Sequence, residues 1–238
     1  MSPYRLAAHL STAFAIYATI LWTALGVAFP TPPLSAPSLS PARIAAALAA
    51  RRRAHPLAGL IALTAASGAF VAGLDAGHAY NTFPLMGGRI VPEEYWAEGL
   101  PAWRNALENT AAVQFHHRVL ALSTLGTTSA VWAASFMGAA AAAAPLPAAA
   151  ATAMHALVAV ASAQVTLGIA TLLSAVPVWL GAAHQAGALT LFSAALVLLH
   201  TLRAPPAVKA RALAAAANAA TQQRAAAPAA AVAAAALK

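Results

Sequence analysis

Between Leu6 and Phe29 the chain carries no charged residue. A helix over that run is roughly 36 Å long, enough to cross a hydrocarbon core of about 30 Å. Pro30, Pro32 and Pro33 follow and end it. Four further apolar runs have similar reach, and they predict helices over 56–74, 113–137, 149–173 and 180–202. The expected fold class is therefore all-α integral membrane, with about five transmembrane helices. Composition agrees: 8% of residues are charged and 61% hydrophobic, whereas a soluble domain carries about a quarter charged residues.

The segments between the runs differ in character. Residues 34–53 are rich in Ser and Pro and close on Arg51-Arg52-Arg53. Residues 75–112 are rich in Gly, Pro, Trp and acid, and are too polar to span. An Ala/Pro linker covers 138–148, and Pro177 marks a short turn. The tail, 204–238, is Ala-rich and of low complexity, and it is expected outside the packed bundle. Met1-Ser2-Pro3 leads straight into the first run, and no cleavable targeting peptide is evident.

Five crossings sort the loops onto two faces. The N-terminus, the 75–112 segment and the Pro177 turn share face X. The loop after the first helix, the 138–148 linker and the tail share face Y. Face Y holds Arg43, Arg51, Arg52, Arg53, Arg203, Lys209, Arg211, Arg224 and Lys238, and no acid. Asp75, Glu93, Glu94, Glu98 and Glu108 all lie on face X, with Arg5, Arg89, Arg104 and Arg118. The formal charge of +8 would point to nucleic acid in a soluble protein; here the positive-inside rule accounts for it, with face Y toward the cytoplasm or matrix. No nucleic-acid partner is expected, and the lipid bilayer is the first partner.

The same topology sorts the eight histidines. His9, His117 and His184 fall about one turn inside the X-side ends of three different helices and so share a depth. Ionisable groups at such positions are costly and mark function, and neutral imidazole coordinates haem iron well. The chain has no cysteine, which excludes thiolate haem ligation, iron–sulfur clusters and Cys-type zinc sites. His116 points about 100° away from His117 around the helix, and His78 lies in a loop, so both read as interfacial polar groups. His55, His155 and His200 read as structural. Arg118 is placed either to pair with a haem propionate or to snorkel to the interface; for Arg5 snorkelling is favoured. Tyr95, Trp96 and Trp103 either cap a haem edge or form an interfacial aromatic belt.

A weak repeat links Ala7-Ala8-His9 to Ala182-Ala183-His184, each with an Ala four residues after its His (Ala13, Ala188). It predicts four parts: 1–30, the last helix of a preceding half; 31–55, a basic loop; 56–203, a four-helix haem-binding half; and 204–238, the tail.

Five stretches resemble the haem A synthase family, in its mitochondrial and alphaproteobacterial branch. They are Gly73-Leu-Asp-Ala-Gly-His-Ala-Tyr-Asn-Thr-Phe-Pro-Leu-Met-Gly87, Asn105-Ala-Leu-Glu-Asn109, Val113-Gln-Phe-His-His-Arg118, Ala182-Ala-His-Gln185 and Tyr4-Arg-Leu-Ala-Ala-His-Leu10. Their order and spacing also match, and the resemblance covers roughly residues 3–203. It implies a protein of two pseudosymmetric four-helix halves that oxidises a methyl group of haem O to the formyl group of haem A, for cytochrome c oxidase. By position, His117 and His184 match the axial ligands of a haem b in the C-terminal half, and His9 matches one ligand of the N-terminal half. The family's N-terminal half also has a Glu-x-x-His-Arg, which this sequence lacks, so no catalytic residue is assigned. The expectation is a truncated form of a full synthase, or a variant needing a partner for the other half.

The resemblance further implies a multi-pass protein of the mitochondrial inner membrane, or of a bacterial cytoplasmic membrane. It implies an electron-transfer partner such as a ferredoxin system, and contact with a haem O synthase. Two other readings of the residues stand beside it. One is a bis-histidine b-type haem electron-transfer subunit. The other is a haem-free membrane scaffold or transporter, with the histidines as interhelical hydrogen-bond or proton-relay groups.

Overall fold

A computed structural model describes residues 2–215, 217, 218 and 221. Five of its helices are long and apolar enough to cross a membrane, and they fall in the five predicted runs. They are α1 (Pro3–Ala28), α2 (Pro41–Gly73), α4 (Thr110–Phe136), α6 (Ala148–Leu173) and α7 (Val178–Thr201), with two short helices, α3 (Ala102–Glu108) and α5 (Ala139–Ala143). Proline starts most of them. Pro3 and Pro41 occupy first-turn positions, and Pro101, Pro147 and Pro177 precede α3, α6 and α7. There the missing N–H costs nothing, because first-turn amides have no helical partner. Asn109 caps α4, its Oδ1 accepting from the Ala111 N–H at 3.0 Å.

α2 departs from expectation: it begins at Pro41, so most of the basic segment read as a loop is helix. Ser40 caps it by accepting from the Arg43 N–H, and residues 45–50 are strong helix formers, all Ala but for Leu48. Pro56 is carried inside the helix, where it removes the backbone bond to the Arg52 carbonyl. Arg43 donates to the Pro145 and Leu146 carbonyls, and Arg51 to the Leu199 carbonyl. The basic helical extension thereby staples the Y-side ends of the bundle.

α2, α4, α6 and α7 pack as a closed ring, each against its two neighbours, and α1 lies outside on the α2–α7 seam. On that seam Phe14 stacks on Phe192 and the Tyr17 and Ser193 hydroxyls bond at 2.7 Å. At the X end a Cβ on Gly73 would lie 2.7 Å from the Pro3 Cα, so glycine lets α1 meet α2. The solid core fills only the Y half of the ring. Leu57, Met154, Leu157, Leu198 and Leu202 are fully buried there, with Leu34 from the α1–α2 connection. The X half is hollow.

The tail also differs from expectation. Residues 206–215 are helical, and Ala204, Val208 and Ala212 pack onto the Y-side core. The remainder of the 204–238 tail lies outside the described residues, the three isolated positions aside.

Candidate functional site

The hollow end of the ring is a cavity of about 290 Å³ whose lining includes residues of α2, α4, α6 and α7. His117 of α4 and His184 of α7 both line it. Their ring centroids are 6.5 Å apart and their planes nearly perpendicular, at 83°. One metal ion held by two imidazole nitrogens at about 2 Å each sets the centroids roughly 6 Å apart. The spacing therefore suits a single ion between the rings. Among the described residues no cluster of three or more His, Cys, Asp or Glu ligands occurs, so the pair fits an ion whose other ligands come with it, as in a porphyrin.

Each ring is seated against a glycine of the neighbouring helix. A Cβ on Gly68 of α2 would lie 3.2 Å from His117 Cε1, and one on Gly168 of α6 would lie 2.8 Å from His184 Cε1. Gly68 and Gly168 precede the left-handed residues Asp75 and Ala175, at the ends of their helices, by the same number of positions. The α2–α4 and α6–α7 pairs thus each seat a histidine against a glycine at the same position from the helix end.

Polar groups brace the two rings and the cavity. Ser67 Oγ donates to the Thr64 carbonyl at 2.7 Å and lies 2.7 Å from His117 Nδ1. Gln164 Nε2 lies 3.1 Å from His184 Nδ1 and donates to the His184 carbonyl at 2.9 Å. Arg118 donates to the Tyr80 carbonyl at 2.9 Å, while its buried Nε has no partner among the described residues. The guanidinium lines the cavity and is suited to pairing with an anionic oxygen.

The segment between α2 and α4 closes the X end. Gly87 and Gly88, with φ of +59° and +83°, make the tight turn that pairs Met86 with Arg89. Asn81 Nδ2 donates to the Gly77 and Leu172 carbonyls and ties the segment to α6. Asn105, 1% exposed, donates to the Tyr95 carbonyl and accepts from the Ala97 N–H. Asn109 donates to the Glu94 and Tyr95 carbonyls. The two asparagines of the 105–109 motif are thus the clasp of the cap.

Of the predicted site residues, His117, His184 and Arg118 meet at one cavity. His9 is exposed on α1, away from it, and Arg5 is also exposed. His116 bonds the Tyr95 hydroxyl at 2.8 Å and anchors the cap, as its polar reading implied. His155 accepts from Trp132 Nε1 and stacks on Phe136; His200 packs between Trp22 and Phe29. His78, read only as an interfacial group, lines the cavity with Asp75 and Phe83. Trp96 and Trp103 do not line it and are 66% and 62% exposed, which fits the aromatic belt. Sequence reasoning missed Ser67, Gln164, Gly68 and Gly168. Only the matching helix positions of the two glycines carried a signal for them.

Residues 1–196 match the model of the COX15-CtaA family, described as cytochrome oxidase assembly protein. A protein named Heme A synthase COX15 from Arabidopsis thaliana is 48% identical over 205 residues, covering 86% of this chain and 42% of the relative. The human protein of that name is 43% identical, with 87% and 47% covered. A Heme A synthase from Rhodospirillum centenum is 47% identical, with 86% and 50% covered. The chain spans about half the length of these relatives. No solved structure matches it.

Proposed function

The chain belongs to the COX15-CtaA family of cytochrome oxidase assembly proteins, and on that premise we propose that it is the haem b-binding part of a haem A synthase. The observation that carries this reading is the His117–His184 pair, 6.5 Å between centroids across a cavity inside a four-helix ring. His117 and His184 would hold the haem iron, and the Arg118 guanidinium, which lines the cavity, would pair with a propionate. Haem bound there would supply electron transfer.

The protein's own part is to hold and shield. The four helices fix both imidazoles on rigid elements, and the glycines let them approach. The clasped X-side cap covers the hollow end of the ring. Oxidation of the haem O methyl group to the formyl group of haem A belongs to the whole synthase. In it this site relays electrons to or from the substrate haem, and His9 on the outer face of α1 serves the other half. No residue of this chain is assigned to the oxidation itself.

The mitochondrial inner membrane, with face Y toward the matrix, is the proposed location; the eukaryotic relatives and the acid-free basic face support it. An electron-transfer partner of the ferredoxin type and contact with a haem O synthase rest on the family resemblance alone.

The test is a reduced-minus-oxidised optical spectrum of the detergent-purified chain beside His117→Ala and His184→Ala. The expected result is a low-spin b-type signal in the wild type that is lost in both variants. A signal intact in both rejects the ligand assignment. A folded wild type without haem supports the scaffold or transporter reading.

A further inference from the structure

The hydrogen bonds behind the two imidazoles are not alike. A histidine that binds iron through Nε2 carries its proton on Nδ1, and a partner that accepts that proton favours the ligating form. Ser67 is such a partner for His117. With its hydroxyl hydrogen given to the Thr64 carbonyl, its oxygen is placed to accept from His117 Nδ1. This arrangement favours the Nδ1–H tautomer of His117, with the Nε2 lone pair free.

His184 faces the opposite chemistry. Its Nδ1 and its own carbonyl oxygen converge on one atom of Gln164, at 3.1 and 2.9 Å. Only the amide nitrogen, with two hydrogens, satisfies both, and it then donates to Nδ1. That places the proton of His184 on Nε2, the atom needed for iron. Moving the proton to Nδ1 sets donor against donor. Turning the amide relieves this contact, but brings Gln164 Oε1 against the His184 carbonyl, acceptor against acceptor. Oε1 is already buried without a partner, and Gly187 leaves room for it. Ligation by His184 therefore costs a hydrogen bond that ligation by His117 keeps.

We propose that the two axial ligands are inequivalent: His117, set by Ser67, is the committed ligand, and His184, opposed by Gln164, is the exchangeable one. This rests on the haem-binding reading above. Ser67 and Gln164 are positioning residues, acting only through the histidines.

The test uses the full chain purified with its haem. His117→Gly and His184→Gly are compared for bound haem per chain and for carbon monoxide binding to the reduced form. The expected outcome is that His184→Gly keeps most of its haem, becomes high-spin and binds carbon monoxide readily, while His117→Gly loses most of it. Equal loss in both, or the reverse order, overturns the inequivalence and leaves the bis-histidine reading intact. A wild type without haem, or one whose low-spin signal survives both changes, overturns the underlying reading instead. Gln164→Leu in the intact pair guards against misfolding of the glycine variants. Freed of the opposing N–H, His184 should compete better, and carbon monoxide affinity should fall about five-fold, the effect of one hydrogen bond. Unchanged or increased affinity in Gln164→Leu contradicts the role of Gln164.

Discussion

At the scale of single residues, the site depends on two glycines as much as on two histidines. Gly168 leaves less room than Gly68: a Cβ would meet the His184 ring at 2.8 Å, against 3.2 Å for His117. Gly168→Ala should therefore displace its imidazole and reduce the low-spin haem signal more than Gly68→Ala does. Optical spectra of the two purified variants check this, and equal spectra would contradict it. The histidines could be found in the sequence, because polar residues at a shared depth stand out against apolar helices. Ser67 and Gln164 could not, since their value lies in a partner on another helix, far along the chain. Arg118 was readable as a propionate partner or as a snorkelling residue; its place in the cavity lining supports the first.

At the scale of elements, the cap between α2 and α4 is held by asparagines. Asn105 is buried with both ends of its amide bonded. Asn105→Leu should cost about 1–3 kcal/mol, because the Tyr95 carbonyl and Ala97 N–H lose their partner. It should also raise protease cleavage between residues 79 and 101, as limited proteolysis in detergent would measure. A second clasp joins α1 to α3: Glu108 accepts from Tyr4 and pairs with Arg104 at 2.7 Å. The hydrogen bonds from Arg104 and then Tyr4 hold the Glu108 carboxyl below its ordinary value. A depressed carboxyl stabilises the fold above its unfolded pKa, and that contribution is lost as pH falls through the folded value. The difference in melting temperature between wild type and Glu108→Gln should be present at neutral pH, begin to shrink as pH nears the ordinary glutamate value of about 4.3, and vanish only below the depressed folded value. A difference that grows on acidification would contradict the clasp. Helix positions were legible from hydropathy, which is why the five spans match. The start of α2 was not, because hydropathy marks only membrane spans, and the four arginines of residues 41–55 take that stretch out of one although its alanines favour helix.

At the scale of the whole molecule, the ring is solid toward face Y and hollow toward face X, and charge follows the same axis. The chain contains no cysteine, so single thiols report sidedness without background. In sealed inner-membrane vesicles of known orientation, Ser38→Cys should react with an impermeant maleimide only from the matrix or cytoplasmic side, and Glu98→Cys only from the other. Labelling of both from one side would break the proposed topology. The Ala-Ala-His repeat suggested a four-helix unit with α1 apart from it; the cavity had no such signal, because a void has no residue of its own in a sequence.

Whether His117 and His184 share one iron is tested most directly by electron paramagnetic resonance of the oxidised full chain. The rings stand at 83° to each other. A strongly anisotropic low-spin signal of the perpendicular bis-imidazole type is expected, abolished when either histidine is replaced. A high-spin signal in the wild type, or a low-spin signal that survives loss of either histidine, would contradict a shared iron.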